Sequence, residues 1–206
     1  MLGPVRMRVH GSCEPAFSAV GNAFERGFAE RGELGAAVAV HLNGRLVVDL
    51  WGGDANSEAG SVWKEDTIAH AYSVSKPPVA TCVLLLADRG ELDLEAPVAR
   101  YWPEYAQAEK EATLVRHLLA HQTGILALRE PQPPEALLDW DRLTRLLAAA
   151  APLWEPGTKH GEEAGFYGHL VGEVVRRVDG RSVGRFFAEE IAEPWDADFN
   201  CLRIRS

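Results

Sequence analysis

Cysteine is scarce in this sequence and poorly placed for pairing. Cys13, Cys82 and Cys201 are far apart and odd in number, and no C-x-x-C pair occurs. A disulfide framework and a zinc ribbon are therefore excluded as expectations. Long apolar runs are also missing, and none approaches the roughly 20 residues of a membrane-spanning helix. The opening stretch, MLGPVRMRVHGSCEPAF, lacks the continuous apolar core of a secretory signal. The expectation is a soluble, cytoplasmic protein without a membrane partner. Positive charge is the third shortage. Lys and Arg total 21 against 30 Asp and Glu, a net charge of −9. Such a surface repels phosphate backbones, so nucleic acid is not expected as a partner. Arg176, Arg177, Arg181 and Arg185 cluster, but acidic residues flank them, and they read as a solvated face. No G-x-G-x-x-G or phosphate loop is present, so no nucleotide cofactor is expected.

What is present is an ordinary globular composition, 47% hydrophobic and 25% charged. Phe17, Val20, Phe24 and Phe28 recur at helical spacing and predict an amphipathic helix within 14–33, ending near Gly32. Two β-rich runs, 36–42 and 45–51, flank Asn43-Gly44. That dipeptide suits a type I′ turn because both residues tolerate positive φ. Residues 52–68 are rich in glycine and polar side chains and read as a loop. From Pro78 the pattern is helical. Val79, Cys82, Val83 and Leu86 predict a buried helix closed by Gly90. Further helices are expected over 112–125, 135–154, 169–180 and 182–194, each stopped by Gly or Pro.

One short stretch carries chemistry. Ser73-Val74-Ser75-Lys76 runs directly into the buried helix. Residues i and i+3 share a helical face, so the lysine amine can reach the serine oxygen. A helix N-terminus also favours a developing oxyanion. The spacing alone is weak. With 8 Ser and 4 Lys, chance supplies it about once in six such chains. Ser61-Val62-Trp63-Lys64 has the same spacing, yet it lies in a polar stretch beside Glu65-Asp66 and reads as surface. The structural alternative for Ser73 is a turn or N-cap serine with Lys76 in solvent. His117 and His121, spaced i, i+4, resemble a zinc-binding pair. No glutamate stands between them and no third ligand is marked, so no metal is expected.

The segments AYSVSK, LLLADRGELDLEAPVARYWPEY, ATLVRHLLAHQTGI, PLWEPGTKHG and YGHLVGEVVRRVDGRSVGRFFAEEIAEP occur in that order. Together they resemble the serine hydrolases grouped with class C β-lactamases, D-Ala-D-Ala carboxypeptidases and family VIII carboxylesterases. The likeness runs to about Pro194 and is strongest to the esterase branch. It implies an α+β, β-lactamase/transpeptidase-like fold, an antiparallel sheet with an inserted helical region. It divides the chain into a helix and hairpin (1–70), a helical region (71–194) and a divergent tail (195–206). By resemblance Ser73 is the nucleophile and Lys76 its base, acting on a small ester or amide through an acyl-enzyme without a cofactor.

Two departures accompany the likeness. The family places a catalytic tyrosine five residues after the Gly of its Pro-Gly turn, and here that position holds Glu162. The third group is therefore missing, replaced by Glu162, or supplied by Tyr167. Glu162 and Glu163 also read as two exposed surface carboxylates. Trp195-Asp196 stands where the family has Leu-Gly, and the returning C-terminal strands are expected to be missing. One of those strands carries an oxyanion-hole N–H in the family. An inactive relative with at most a binding role is the competing expectation. The hairpin would then expose a sheet edge prone to self-association.

Overall fold

A computed structural model of the chain describes residues 9–200. They fall into two compact units, one up to His70 and one from Ala71 on. Cys201 and the last residues of the tail lie outside the described residues.

The first unit contains β1 (Val9–Cys13), α1 (Ser18–Glu30), β2 (Gly35–Leu42), β3 (Arg45–Asn56) and the short β4 (Ser61–Val62). The expected hairpin is present. Asn43 and Gly44 both have positive φ, 52° and 76°, as a type I′ turn requires. β3 pairs antiparallel with β2, Val38 opposite Leu50 and Val40 opposite Val48, with a bulge between Val40 and His41. β1, which the sequence pattern did not announce, pairs with the other edge of β3 and sets Cys13 opposite Val48. β3 is thus central in the order β1-β3-β2, and β2 has no further strand beside it among the described residues. Val47, Val48 and Leu50 are buried against Phe17, Val20 and Phe24, so the apolar face of α1 covers one side of the sheet. The loop expected over 52–68 is shorter than predicted. β3 continues to Asn56, and Asp54 pairs with Val62 of β4.

The second unit is helical: α2 (Lys76–Asp88), α3 (Val115–Leu119), α4 (Trp140–Ala149), α5 (Tyr167–Asp179) and α6 (Val183–Phe187). α2 buries Val79, Cys82, Val83 and Leu86 against α5 and α6. α5 ends at Gly180 in the left-handed region, φ 93°. Three expected helices are shorter than predicted. The 112–125 helix is confined to α3, because His121 adopts φ 56°. The 135–154 helix breaks at Asp139, whose side chain accepts the Arg142 N–H at 3.0 Å and caps α4. The 182–194 helix loosens after Phe187 into a π turn, Ala188–Ala192.

Buried charge ties this unit together. Lys110 is fully buried, and its Nζ donates to the carbonyls of Gln107, Ala148 and Ala150, closing the end of α4. The Glu173 carboxylate, also fully buried, accepts from Arg176, Arg177 and Trp140 Nε1, each at 2.7 Å. The arginines read as a solvated face are therefore partly structural. Arg181 likewise donates to Asp179, Glu189 and Glu190.

Candidate active site

The Ser73–Lys76 stretch is a single 3-10 turn, Tyr72–Ser75, followed at once by α2 from Lys76. Pro77 and Pro78 sit in the first turn of α2, where a missing N–H leaves no intrahelical bond unmade. Tyr72 holds φ 45°, a strained conformation for an aromatic residue. The turn leaves Ser73 exposed at its tip.

Ser73 does not cap the helix. The cap position is Ser75, which makes no side-chain cap bond and donates its hydroxyl to the Tyr72 carbonyl at 2.6 Å. Lys76 Nζ instead donates to Ser73 Oγ at 2.7 Å. The Lys76 side chain is only 16% exposed, so the solvent reading of this lysine does not hold. The second Ser-x-x-Lys is different. Ser61 lies in β4, the Lys64 N–H bonds Thr67 Oγ1 at 2.8 Å, and no bond joins Ser61 to Lys64 among the described residues.

Glu162 and Tyr167 occupy distinct places. Glu162 Oε1 accepts from Lys76 Nζ at 3.3 Å, and its side chain is 65% exposed. Tyr167 is buried at the start of α5, its ring 4.7 Å from that of His121. Burial, and then the nearby Glu163 charge, push its hydroxyl up to about 12. It makes no hydrogen bond to Ser73 or Lys76 among the described residues. A cleft of about 230 Å³ adjoins the pair, lined by Ser73, Lys76, Val79, Gly165, Tyr167 and His169. The His169 ring lies tilted against Trp140, centroids 4.9 Å apart, and burial lowers its pKa, which favours the neutral ring.

The surface reading of Glu163 is overturned. Its side chain is fully buried. Oε1 accepts from the Thr123 hydroxyl and from the Thr123 N–H, the latter at 3.2 Å. Oε2 lies 2.7 Å from His121 Nδ1, a contact that holds one proton whichever atom carries it. Burial pushes the Glu163 carboxyl up, against the lowering effect of the Thr123 and His121 bonds. His117 and His121 do not share a helical face. His117 is buried in α3, its Nδ1 accepting the Leu114 N–H at 3.3 Å, while His121 lies beyond the helix end. Among the described residues, no group of three His, Cys, Asp or Glu could hold a metal ion. The sequence signal for His121 and Thr123 was slight: a turn-like Gln122-Thr123-Gly124 after a helix. For Glu163 there was none.

The beta-lactamase family profile matches residues 20–202. The esterase/beta-lactamase LipL of Mycobacterium tuberculosis is 39% identical over 191 residues, covering 93% of this chain and 44% of that protein. Esterase EstB of Burkholderia gladioli is 30% identical over 195 residues, covering 83% and 47%. Among solved structures, a family VIII carboxylesterase superposes with a TM-score of 0.84 at 44% identity, over 91% of this chain and 51% of that one. A penicillin-binding protein homologue from Caulobacter crescentus gives 0.86 at 40% identity, over 91% and 50%. The chain spans about half the length of these relatives.

Proposed function

The chain belongs to the beta-lactamase family, and on that footing we propose that Ser73 is the nucleophile of a serine hydrolase acting on small carboxylic esters, with Lys76 as its base. The observation that carries this reading is the 2.7 Å contact between Lys76 Nζ and Ser73 Oγ on an exposed turn. The same separation serves the reverse hydrogen bond, in which a neutral amine takes the hydroxyl proton as Oγ attacks the ester carbonyl. As the ester C–O bond breaks, Lys76 passes that proton to the departing alkoxide, which leaves as the alcohol, and an acyl group stays on Ser73. Water then attacks that acyl-enzyme carbonyl, the acyl group leaves as the carboxylic acid, and the Ser73 oxygen regains its proton. The cleft beside Val79 and Gly165 is the place for a short acyl chain. The esterase names of the relatives support the substrate class.

One observation favours a second reading, a binding protein without turnover. Glu162 stands against Lys76 where the family tyrosine is expected, and an ion-paired ammonium donates hydrogen bonds rather than accepting a proton. A fluorophosphonate probe, with the adduct mapped by mass spectrometry, tests the nucleophile. Hydrolysis of p-nitrophenyl acetate tests turnover. The 206-residue chain should label at Ser73 yet hydrolyse the ester well below the ordinary ~1–10³ s⁻¹. The Glu162 carboxylate paired with Lys76 is the reason for the low turnover. No labelling at Ser73 would sink the hydrolase reading and leave the binding one.

A further inference from the structure

Glu162 and Glu163 are neighbours in the chain with opposite surroundings. Glu162 is largely exposed and reaches Lys76, whereas Glu163 is fully buried. A buried carboxylate costs several kcal/mol unless its oxygens are bonded. Here both oxygens are, one to Thr123 and one to His121. Backbone bonds run alongside. Gly161 N–H donates to the His121 carbonyl at 3.0 Å, Gly157 N–H to Gln122 at 2.9 Å and Leu153 N–H to Gly124 at 2.9 Å. At Gly157, with φ 89°, an added Cβ would lie 2.6 Å from the His117 ring. Two irregular segments, 120–125 and 153–163, are thus laced together without a helix or strand in either. The Glu163 carboxyl is the fully buried side chain in the lacing, and its bonds to Thr123 and His121 give it a fixed direction.

Residue 162 is one 3.8 Å Cα step from that carboxylate. Any slip of Glu163 moves the group facing Lys76 by a comparable distance, and a misplacement of 1 Å can cost about 10²-fold in rate. We infer that Glu163 is a positioning residue: locked to His121 and Thr123, it fixes residue 162 against Lys76. The inference rests on Ser73 and Lys76 being the reacting pair. Glu163 itself touches neither.

The test uses Glu163→Gln and Glu163→Ala in the 206-residue chain. The glutamine keeps both bonds, its carbonyl accepting from Thr123 and its amide donating to His121 Nδ1. The alanine keeps neither side-chain bond, only the backbone N–H of residue 163 on His121 Nδ1 at 3.2 Å. A water-soluble carbodiimide joins Lys76 to Glu162 as an amide only when the two groups touch, and mass spectrometry reads the yield. The rate of Ser73 labelling by the fluorophosphonate is the second readout, with amide exchange in α5 as the fold control. Glu163→Ala should lower coupling and labelling at least tenfold with α5 protection unchanged. Glu163→Gln should stay within about threefold of the parent on both. Wild-type coupling in Glu163→Ala, or equal losses in the two variants, overturns the inference. If Glu163→Ala does not fold, His121→Phe replaces it, since it keeps the ring against Tyr167 and loses the bond, and undiminished coupling there overturns the inference equally. If the parent chain never labels at Ser73, the hydrolase reading falls, while the coupling yield still decides whether Glu163 places residue 162.

Discussion

Among the described residues, those up to His70 bury three apolar side chains in their cluster, Val47, Val48 and Leu50. The described residues from Ala71 on bury twenty-three around α2 and α5. The polar interior is just as uneven. Lys110, Glu163, Glu173, His117 and His169 all lie in the helical unit. The sheet unit takes its order from strand pairing and one amphipathic helix, the helical unit from a packed core with bonded charges inside it. The candidate nucleophile stands where the dense core meets a strained turn. Groups that must be held within tenths of an ångström belong on such rigid ground.

The sharpest way to break this contrast is at the two Ser-x-x-Lys stretches. Ser73→Ala in the helical unit should abolish fluorophosphonate labelling, a loss of at least about 100-fold by gel fluorescence. Ser61→Ala in the sheet unit should leave it unchanged. Labelling that survives Ser73→Ala would move the chemistry elsewhere.

Cavity formation comes next in size. Leu147 is fully buried in the helical core, so Leu147→Ala should cost about 2–5 kcal/mol in denaturant unfolding. Val38→Ala, at a half-buried position on β2, should cost about 1 kcal/mol or less. Similar losses at both sites would erase the distinction between the units.

Alkaline pH gives a smaller effect of defined sign. The folded chain holds the Tyr167 proton up to about 12, while an unfolded tyrosine releases it near 10. The stabilisation is complete below pH 10 and disappears as the pH climbs through 12. Tyr105, raised by burial, acts in the same direction. The Tyr167 share over the whole window is roughly 2–3 kcal/mol. Urea titrations at pH 9, 10 and 11 should show a decline that Tyr167→Phe makes shallower. An identical slope in that variant would remove Tyr167 as a contributor.

The smallest expected effect is at the edge of β2 that has no strand beside it among the described residues. Ala39 is exposed on this strand, and Ala39→Lys places a charge that discourages edge-to-edge pairing. Light scattering should find the parent chain partly associated at tens of micromolar and the variant shifted toward monomer. A parent that is already a clean monomer would show the edge to be harmless.

Much of this was readable along the chain, where the cause is local. Asn43-Gly44 dictates its own turn, and the spacing of Val20 and Phe24 dictates the covered face of α1. Ser73 and Lys76 are three residues apart, so the helix start alone brings them together. Failures came where the partner is remote. β1 is polar and contains glycine, and only pairing with β3 makes it a strand. Glu163 reads as surface because its partners, His121 and Thr123, lie some forty residues upstream. The break at His121 follows from the same distant contacts, which hold it in a left-handed turn rather than another helical turn.

Tyr72 has a consequence for how such a chain tolerates change. Its left-handed backbone costs about 1–3 kcal/mol, which glycine would not incur. Replacing Tyr72 with glycine would relieve that strain, yet it would also widen the range of directions open to the Ser73 hydroxyl. Relief of strain and aim are therefore opposed at a single position. Selection against backbone strain alone would discard the tyrosine, and selection for a fixed direction of the Ser73 hydroxyl would retain it.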